Sequence, residues 1–377
     1  MPDASVFRFD PVELPPACRQ LREEVRDFLQ AELTPDRVGS GFDPEFSRKL
    51  GAKGWLGMTW PKPYGQARTQ FERYVLIEEM LAAGAPVGAH WTAERQSGPN
   101  ILRFGTPEQK DFFLPRIVRG ELYFCIGMSE PDSGSDLASA RTRAAKVEGG
   151  YVVNGTKLWT SNAHRSHFIM LFCKTGKAED DRHAGATQLM VDLRTPGIKV
   201  NPVINLAGDH HFNEVVFTDV FVPESRRLGQ EGNGWRQVVS ELGFERSGPE
   251  RFLSSFRLLT ELVRALGPEP PPAAAREVGR LVAQLAALRR MSLSVQGMLQ
   301  AGAAPDVAAA VVKDVGTQFE QDIPEMARQL VETEPTLAGS VFERVLAHTI
   351  LYHRSFSIRG GTREILRGII ARGLGLR

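Results

Sequence analysis

The chain has 377 residues with 42% hydrophobic and 24% charged side chains, enough for about two or three domains of ordinary size with substantial cores. Lys and Arg total 46 against 45 Asp and Glu, a formal net charge of +1, so no broad basic field exists and the composition argues against nucleic acid or an anionic membrane as main partner. Three cysteines, Cys18, Cys125 and Cys173, are odd in number and lack CxxC or CxH spacing, which argues against a disulfide framework and a cysteine zinc site.

The opening stretch, MPDASVFRFDPVELPP, has no basic region followed by an apolar run, so no secretion signal is read. No run of about 18 apolar residues is present for a membrane span. A soluble, cytoplasmic protein is expected. Residues 16–119 then read as helical. CRQLREEVRDFLQAEL places Leu21, Val25, Phe28, Leu29 and Leu33 on one face with charges opposite. FERYVLIEEMLAAG and TPEQKDFFLPRIVRG are of the same type, and Thr106 with Gln109 three residues on forms a capping-box arrangement.

Over residues 122–222 the period shortens. LYFCIGM, TRAAKV, GYVVNGTKLWT, HFIMLFCKT, ATQLMVDL and NEVVFTDVFV are short runs rich in β-branched and aromatic residues, punctuated by Gly-Gly, Asn-Gly and Pro-Gly turns. A compact antiparallel β-domain is expected. From residue 234 the pattern is helical again, with REVGRLVAQLAALRRMSLSVQGMLQ and VFERVLAHTILYHRSF as long segments and GPEPPPAAA (267–275) as a loop. The fold class is therefore α+β, with expected domains at 1–120 (helical), 121–230 (β) and 231–377 (helical). No GxGxxG follows a strand, which disfavours a Rossmann domain.

Four segments can carry chemistry. Gly127–Asp136 (GMSEPDSGSD) follows a strand and is rich in Gly, Ser and Asp; it fits a lining for a polar or phosphate-bearing ligand and, equally, a solvated turn. In Asn154–Asn162 (NGTKLWTSN), Asn-Gly suggests a tight hairpin, and the next strand would place Trp159 and Ser161 on one face. Such a pair can stack on a planar ring and bond its edge, or be a core Trp beside a Ser. Leu242–Gly248 (LGFERSG) carries Glu245 and Arg246, which alone read as a solvent-facing helical pair. Ser357–Ile365 (SIRGGTREI) puts Gly-Gly-Thr at a helix N-terminus, able to face an anion or simply to connect helices. The eight histidines show no i,i+4 metal spacing, and HExxH, GxSxG and P-loop motifs are absent, so no metal site is expected. The His210-His211 pair, preceding a strand, reads as structural.

In this order, these segments resemble the acyl-CoA dehydrogenase family. Ser129-Glu130 through Gly134-Ser135-Asp136 match the family's S-E-x-x-x-G-S-D signature. NILRFGTPEQKDFFLPRIVRGELYFCIGMSEPDSGSDLASARTRA, GWLGMTWPKPYG, HFNEVVFTDVFVPESRRLGQEGNGW and GGTREILRGIIARGLGL are similar to it as well, so the resemblance covers nearly the whole chain. It implies an N-terminal helical domain, a middle β-domain and a C-terminal four-helix bundle, with FAD between the last two and usually completed by a neighbouring subunit. It places Met128 and Ser129 by the flavin ring, and Ser135 near the FAD phosphates and the CoA part of substrate. Trp159 and Ser161 would pack on the isoalloxazine with the Ser161 hydroxyl near N5, and Thr362 and Glu364 would contact the pyrophosphate and ribose side.

The implied reaction is α,β-desaturation of an acyl-CoA thioester: a carboxylate takes the α-proton and the β-hydrogen leaves as hydride to flavin N5. Many members carry that carboxylate immediately before the C-terminal Gly-Thr, where this chain has Gly360. Another branch, including isovaleryl- and long-chain-type enzymes, carries it in an L-x-x-E-R segment, which Leu242–Arg246 matches. The resemblance therefore implies Glu245 as base, with Arg246 as a structural or substrate-orienting partner. Two features depart from the family. The Gln-x-x-Gly-Gly loop that reaches a neighbour's FAD is missing around Gln329–Pro335, and no arginine–phenylalanine pair is identifiable near the Pro-rich break. The stretch corresponding to the pocket floor, Gly88–Gln96 (GAHWTAERQ), is bulky and charged, which suggests a short, ring-bearing or carboxylate-bearing acyl group with Arg95 as anion partner; Glu94 and Arg95 also fit an exposed helical pair pointing away. A homodimer, homotetramer or heterotetramer and an electron-transfer flavoprotein are the implied partners. A non-catalytic or FAD-poor subunit, and a flavin oxidase or monooxygenase on the same fold, are the alternatives.

Overall fold

The computed structural model of the protein describes residues 7–39, 41–176 and 181–376; for 241–245 only the backbone is described. In chain order the helices are α1 (Pro16–Glu32), α2 (Pro44–Ala52), α3 (Gln70–Ala82), α4 (Gly88–Thr92), α5 (Gly98–Phe104) and α6 (Pro107–Val118), with a π-helical turn, Ala93–Ser97, between α4 and α5. Strands β1 (Phe124–Gly127), β2 (Arg143–Val147), β3 (Gly150–Lys157), β4 (Phe168–Lys174), β5 (Ala186–Asp192), β6 (Ile198–Ile204) and β7 (His210–Pro223) follow. The chain ends in α7 (Gly234–Glu245), α8 (Phe256–Leu266), α9 (Pro272–Gln300), α10 (Asp306–Leu330), α11 (Val341–Tyr352) and α12 (Arg363–Gly373). This is the expected helix, β, helix order. The residues group into two compact units, Met1–Gly39 with Thr69–Ala85 and Gly243–Arg377, and Ser40–Arg68 with Pro86–Leu242.

In the first unit α8 to α11 share one core. Leu258, Leu259 and Leu262 of α8 meet Leu281 and Leu288 of α9, Phe319 and Ile323 of α10, and Phe342 and Leu346 of α11. Their helical spacing turns one apolar face of each helix inward, giving the four-helix bundle. The Pro-rich break is shorter than expected, because Pro272 already stands in the first turn of α9, where its missing N–H costs nothing. Helix α3 starts with a complete Thr69–Glu72 capping box and is tied by charge to both neighbours. Arg22 of α1 pairs with Glu78 at 2.9 Å and with Glu79, and Arg289 of α9 pairs with Glu78 at 2.6 Å. Asp314 of α10 holds α12 through Arg363 (2.6 Å) and Arg367 (3.2 Å).

In the second unit a curled sheet has the order β1-β4-β2-β3-β7-β6, with β5 also on β4. Strand β4 shows why it has two apolar faces. Phe168 and Met170 pack with Phe113, Leu114 and Ile117 of α6, while Ile169, Leu171 and Cys173 face the inner core with Val215 and Phe217 of β7. Helix α6 carries the capping box read from sequence, Thr106 with Gln109. Two pairings depart from an all-antiparallel sheet: β1 runs parallel to β4, and β2 meets the end of β4 in parallel at Arg143 and Lys174. Strand β1 arrives from the helical block and not through a hairpin, so nothing forces it to reverse direction. Strand β6 was not among the runs read from sequence. It is a half-exposed edge strand containing Pro202, a residue that only an edge tolerates.

The hairpin expected at Asn154-Gly155 lies elsewhere. Val147 pairs with Gly150, so Glu148-Gly149 makes the β2–β3 turn, Gly149 having φ +77. Asn154-Gly155 is instead a bulge inside β3, where the register with β7 slips. The Asn154 side chain donates to Asp219 and accepts from its N–H, both at 2.9 Å, which binds the bulge across to β7. Among the described residues no helix is long and apolar enough to cross a membrane.

Candidate active site

The signature loop is a built structure and not a solvated turn alone. After β1, Glu130 and Ser133 exchange backbone hydrogen bonds at 2.8 and 3.2 Å. The Glu130 carboxylate, 8% exposed, accepts from Lys157 Nζ (2.8 Å), Thr142 N (2.9 Å) and Arg141 N (2.6 Å). Burial opposes its charge, yet Lys157 and these N–H groups outweigh burial and hold its pKa below the usual carboxylate range. Burial likewise lowers the Lys157 ammonium, with Glu130 acting against that shift. Lys157 Nζ also donates to the Met128 carbonyl at 2.9 Å. The Met128 side chain packs against the cluster of Ala140, Phe172, Ala186 and Val238, Ser129 is half-buried and Ser135 is exposed. Beside the loop lies a cleft of about 230 Å³ lined by Glu130, Ser133, Arg141, Thr142 and Thr156.

The second segment differs from the alternating strand expected for Trp159 and Ser161. Strand β3 stops at Lys157, and Trp159 takes a left-handed φ of +61, which breaks the alternation. A bulky residue held there is strained by about 1–3 kcal/mol and persists only where its surroundings over-determine it. Here they do. Leu158 N–H donates to the Ser129 carbonyl (2.9 Å), Thr160 and Asn213 exchange backbone hydrogen bonds at 3.0 Å, and Asn213 Nδ2 donates to the Thr160 carbonyl (2.9 Å). The indole itself is 56% exposed, edge-on to Phe212. His210 and His211 stand at the start of β7 and not before a strand; His210 stacks on His164 with centroids 3.7 Å apart, and both rings bond Asn213 Oδ1. Burial foremost, with His210 and Arg165 adding to it, pushes His164 down to about 4.

Leu242–Glu245 form the last turn of α7, and the Glu245 side chain lies outside the described residues. The following residues are anchored. Arg246, 7% exposed, donates from Nε to the Gly360 carbonyl at 3.4 Å; Ser247 accepts from Gln296 Nε2 at 3.2 Å, and its carbonyl accepts from Ser292 Oγ. Gly360 and Gly361 have φ of +64 and +95, and a Cβ on Gly360 would stand 2.9 Å from Arg251 Nη2. Arg359 donates to Glu320 (3.0 Å), Ser254 Oγ (2.5 Å) and the Glu250 carbonyl (3.3 Å). Thr362 is the N-cap of α12, its Oγ1 accepting from Ile365 N–H, and Glu364 is exposed in the first turn.

Glu94 and Arg95 do not both point to solvent. Glu94 is 5% exposed, and the Arg95 guanidinium lies over the Trp91 ring at 4.5 Å, within the π-helical turn. The structure thus brings Met128 and Ser129 together with the Trp159–Ser161 loop, and separately Arg246 with Gly360. Lys157, Asn213 and Arg251 were not read as site residues. Their only sequence signal is position: Lys157 two residues before Trp159, Asn213 within HHFNE, and Arg251 soon after the E-R pair.

The first pair of loops fits FAD. It offers an exposed indole on a pinned backbone, and the hydroxyl of Thr160 beside it is buried with no hydrogen-bond partner among the described residues. Among the described residues no group of three or more His, Cys, Asp or Glu could hold a metal ion. The sequence matches the acyl-CoA dehydrogenase N-terminal domain over residues 15–121, the middle domain over 125–220 and the C-terminal domain over 268–375. Acyl-CoA dehydrogenase FadE26 of Mycobacterium tuberculosis is 31% identical over 388 residues, covering 94% of this chain and 96% of FadE26. FadE34 of the same organism is 33% identical over 88% of this chain, which spans 46% of that relative. Among solved structures, the Tcur3481-Tcur3483 steroid ACAD superposes with a TM-score of 0.86 at 28% identity, covering 97% of this chain and 99% of that one. The ChsE4-ChsE5 complex from Mycobacterium tuberculosis gives 0.84 at 28%, with the same coverage. The chain belongs to the acyl-CoA dehydrogenase family of FAD-dependent oxidoreductases.

Proposed function

We propose that the chain desaturates an acyl-CoA thioester between Cα and Cβ, with Glu245 as the base that takes the α-proton. Bound FAD supplies the acceptor for the β-hydrogen, which leaves as hydride. The observation that carries this reading is the anchoring of the residues that follow Glu245 in the L-x-x-E-R segment: Arg246 bonds Gly360, and Ser292 and Gln296 hold Ser247. At position 360, where other members carry the base, stands a glycine backed by Arg251. An α-proton of a thioester is weakly acidic, so a base held at a set distance in a site closed to water is what the step demands.

In this reading Met128, Ser129, Trp159 and Ser161 bind the flavin ring. Ser135 serves the phosphates and the CoA moiety, and Thr362 and Glu364 serve the pyrophosphate and ribose side. Arg246 and Arg95 are the substrate-side cations; the inward placement of Glu94 and the stacking of Arg95 on Trp91 support a pocket role for Arg95. The steroid ACAD among the structural neighbours supports a ring-bearing acyl group over a straight fatty chain. The missing Gln-x-x-Gly-Gly loop and the ChsE4-ChsE5 neighbour support a heteromeric assembly, with an electron-transfer flavoprotein as acceptor. Three buried free thiols suit a reducing, cytoplasmic setting.

The purified protein, alone and co-expressed with a candidate second subunit, should be yellow. Its flavin should bleach on anaerobic addition of a steroid-ring acyl-CoA faster than on long unbranched fatty acyl-CoAs; the reverse order would remove the ring-bearing assignment. Glu245→Gln should keep FAD and lose bleaching. Normal reduction by that variant would refute the base. Colourless protein in both preparations would point to the non-catalytic subunit, and rapid reoxidation by oxygen to the oxidase.

A further inference from the structure

The Lys157–Glu130 pair lies outside the proposed proton and hydride steps, and its placement is specific. Lys157 is the last residue of β3, so its backbone leads directly into Leu158, Trp159 and Ser161. Its side chain, fully buried, crosses to the signature loop and bonds the Met128 carbonyl and the Glu130 carboxylate. Leu158 N–H then bonds the Ser129 carbonyl. Within this short span three hydrogen bonds join the loop carrying Met128 and Ser129 to the loop carrying Trp159 and Ser161. Glu130 extends the clamp, since its two oxygens accept from the backbone of Arg141 and Thr142 where β2 begins.

We propose that Lys157 and Glu130 are positioning residues for the flavin. The buried ion pair sets the separation and tilt of the two loops, so that an isoalloxazine entering between them meets Trp159 and Ser161 on one side and the Met128–Ser129 backbone on the other. This rests on the assignment of those loops to the flavin ring. Neither Lys157 nor Glu130 touches the ring; they act through the backbone they hold. An exposed loop pair without the clamp would have to be ordered by the ligand, at a cost to affinity.

The test uses Glu130→Gln, Lys157→Met and the double variant, each prepared as full-length apoprotein and titrated with FAD by quenching of flavin fluorescence. Visible circular dichroism of the bound flavin is recorded alongside, as a report on ring orientation. Lys157→Met alone leaves a buried carboxylate unpaired and is expected to melt early; the double variant removes both charges and recovers much of the melting temperature. For a positioning role, Glu130→Gln and the double variant should both raise the FAD dissociation constant by about tenfold or more. Their flavin dichroism should also be altered, although the double variant melts near wild type. If FAD affinity and dichroism return to wild type together with the melting temperature, the pair is structural only and the proposal fails. Should the Lys157→Met variants not fold, Glu130→Gln decides between the two roles alone, because it keeps the shape of the side chain and loses the charge: wild-type affinity and dichroism in that variant would overturn the proposal. If the wild-type chain binds FAD yet Trp159→Ala leaves both the dissociation constant and the dichroism untouched, the loop assignment fails before the pair is judged.

Discussion

The base assignment can be tested by moving the carboxylate. The double variant Glu245→Gln/Gly360→Glu places it where many family members carry it, and the local structure argues that activity will not return. Gly360 has φ +64, a left-handed conformation that costs a non-glycine residue about 1–2 kcal/mol. The new Cβ would stand 2.9 Å from Arg251 Nη2 and 3.1 Å from its Cζ, and Arg251 is only 3% exposed, so a packed guanidinium has to shift. Overpacking of this kind adds about 1–3 kcal/mol. Together roughly 2–5 kcal/mol is expected, a fall in melting temperature of the order of 3–6 °C for a chain of this length. The new carboxylate would also lie beside Arg251 and near Arg246, whose Nη2 is 3.5 Å from a Cβ at Gly361. Guanidinium neighbours lower a carboxyl pKa by about 1–3 units, the wrong direction for a base. The assay compares wild type, Glu245→Gln and the double variant by thermal melting and by anaerobic flavin bleaching. Bleaching within about tenfold of wild type, or a double variant as stable as Glu245→Gln, would refute this account of why the base sits on α7.

Acid should loosen the second unit through His90, which is 3% exposed, bonds Ser47 Oγ at 2.8 Å and is pushed by burial down to about 4. The unfolded chain takes up a proton near pH 6.5 and the folded one only near 4, so stability is lost as pH falls through that window, by at most about 3 kcal/mol. A His90→Gln variant whose melting temperature keeps the wild-type pH slope would show that His90 is not the source. Trp159→Ala should raise the FAD dissociation constant by about two- to tenfold, the worth of one aromatic contact, with little change in melting because the ring is 56% exposed; unchanged affinity would place the flavin elsewhere. Arg359→Ala should cost about 3 kcal/mol by stranding Glu320, whose carboxylate is buried and also accepts from Ser254 N–H at 2.8 Å. Adding Glu320→Gln should recover part of that loss, and no recovery would mean the arginine acts through packing.

What the sequence makes legible here is what depends on neighbours along the chain. The apolar face of α1, the Thr106–Gln109 box and the continuous apolar run of β4 are set by residues within a turn or a strand of one another, and all are present. The signature loop, Gly360 and the L-x-x-E-R segment are legible for a different reason: they resemble a family. Features set by distant partners are hidden. Asn154-Gly155 has the local chemistry of a hairpin, but Asp219, 65 residues on, claims the Asn154 side chain and makes it a bulge. Trp159 looks like a strand residue until Asn213 fixes the backbone beside it. Helices α1 and α3 read as part of an N-terminal block, yet Glu78 bonds Arg289, 211 residues later, and they group with the C-terminal helices.

The same distinction bears on Lys157. A lysine at the end of a strand ordinarily reaches solvent, and burying it against Glu130 is a poor way to gain stability, since desolvation of both charges offsets most of their attraction. An apolar pair of similar volume would pack the sheet as well. What an apolar pair could not do is hold the Met128 carbonyl and two backbone N–H groups in set directions, and those are the groups that shape the signature loop. On the proposed reading the pair serves orientation and not stability, and orientation has a use only if something must fit between the loops it joins. A double variant with restored melting and impaired flavin binding would separate those two roles; restoration of both would return the pair to the core.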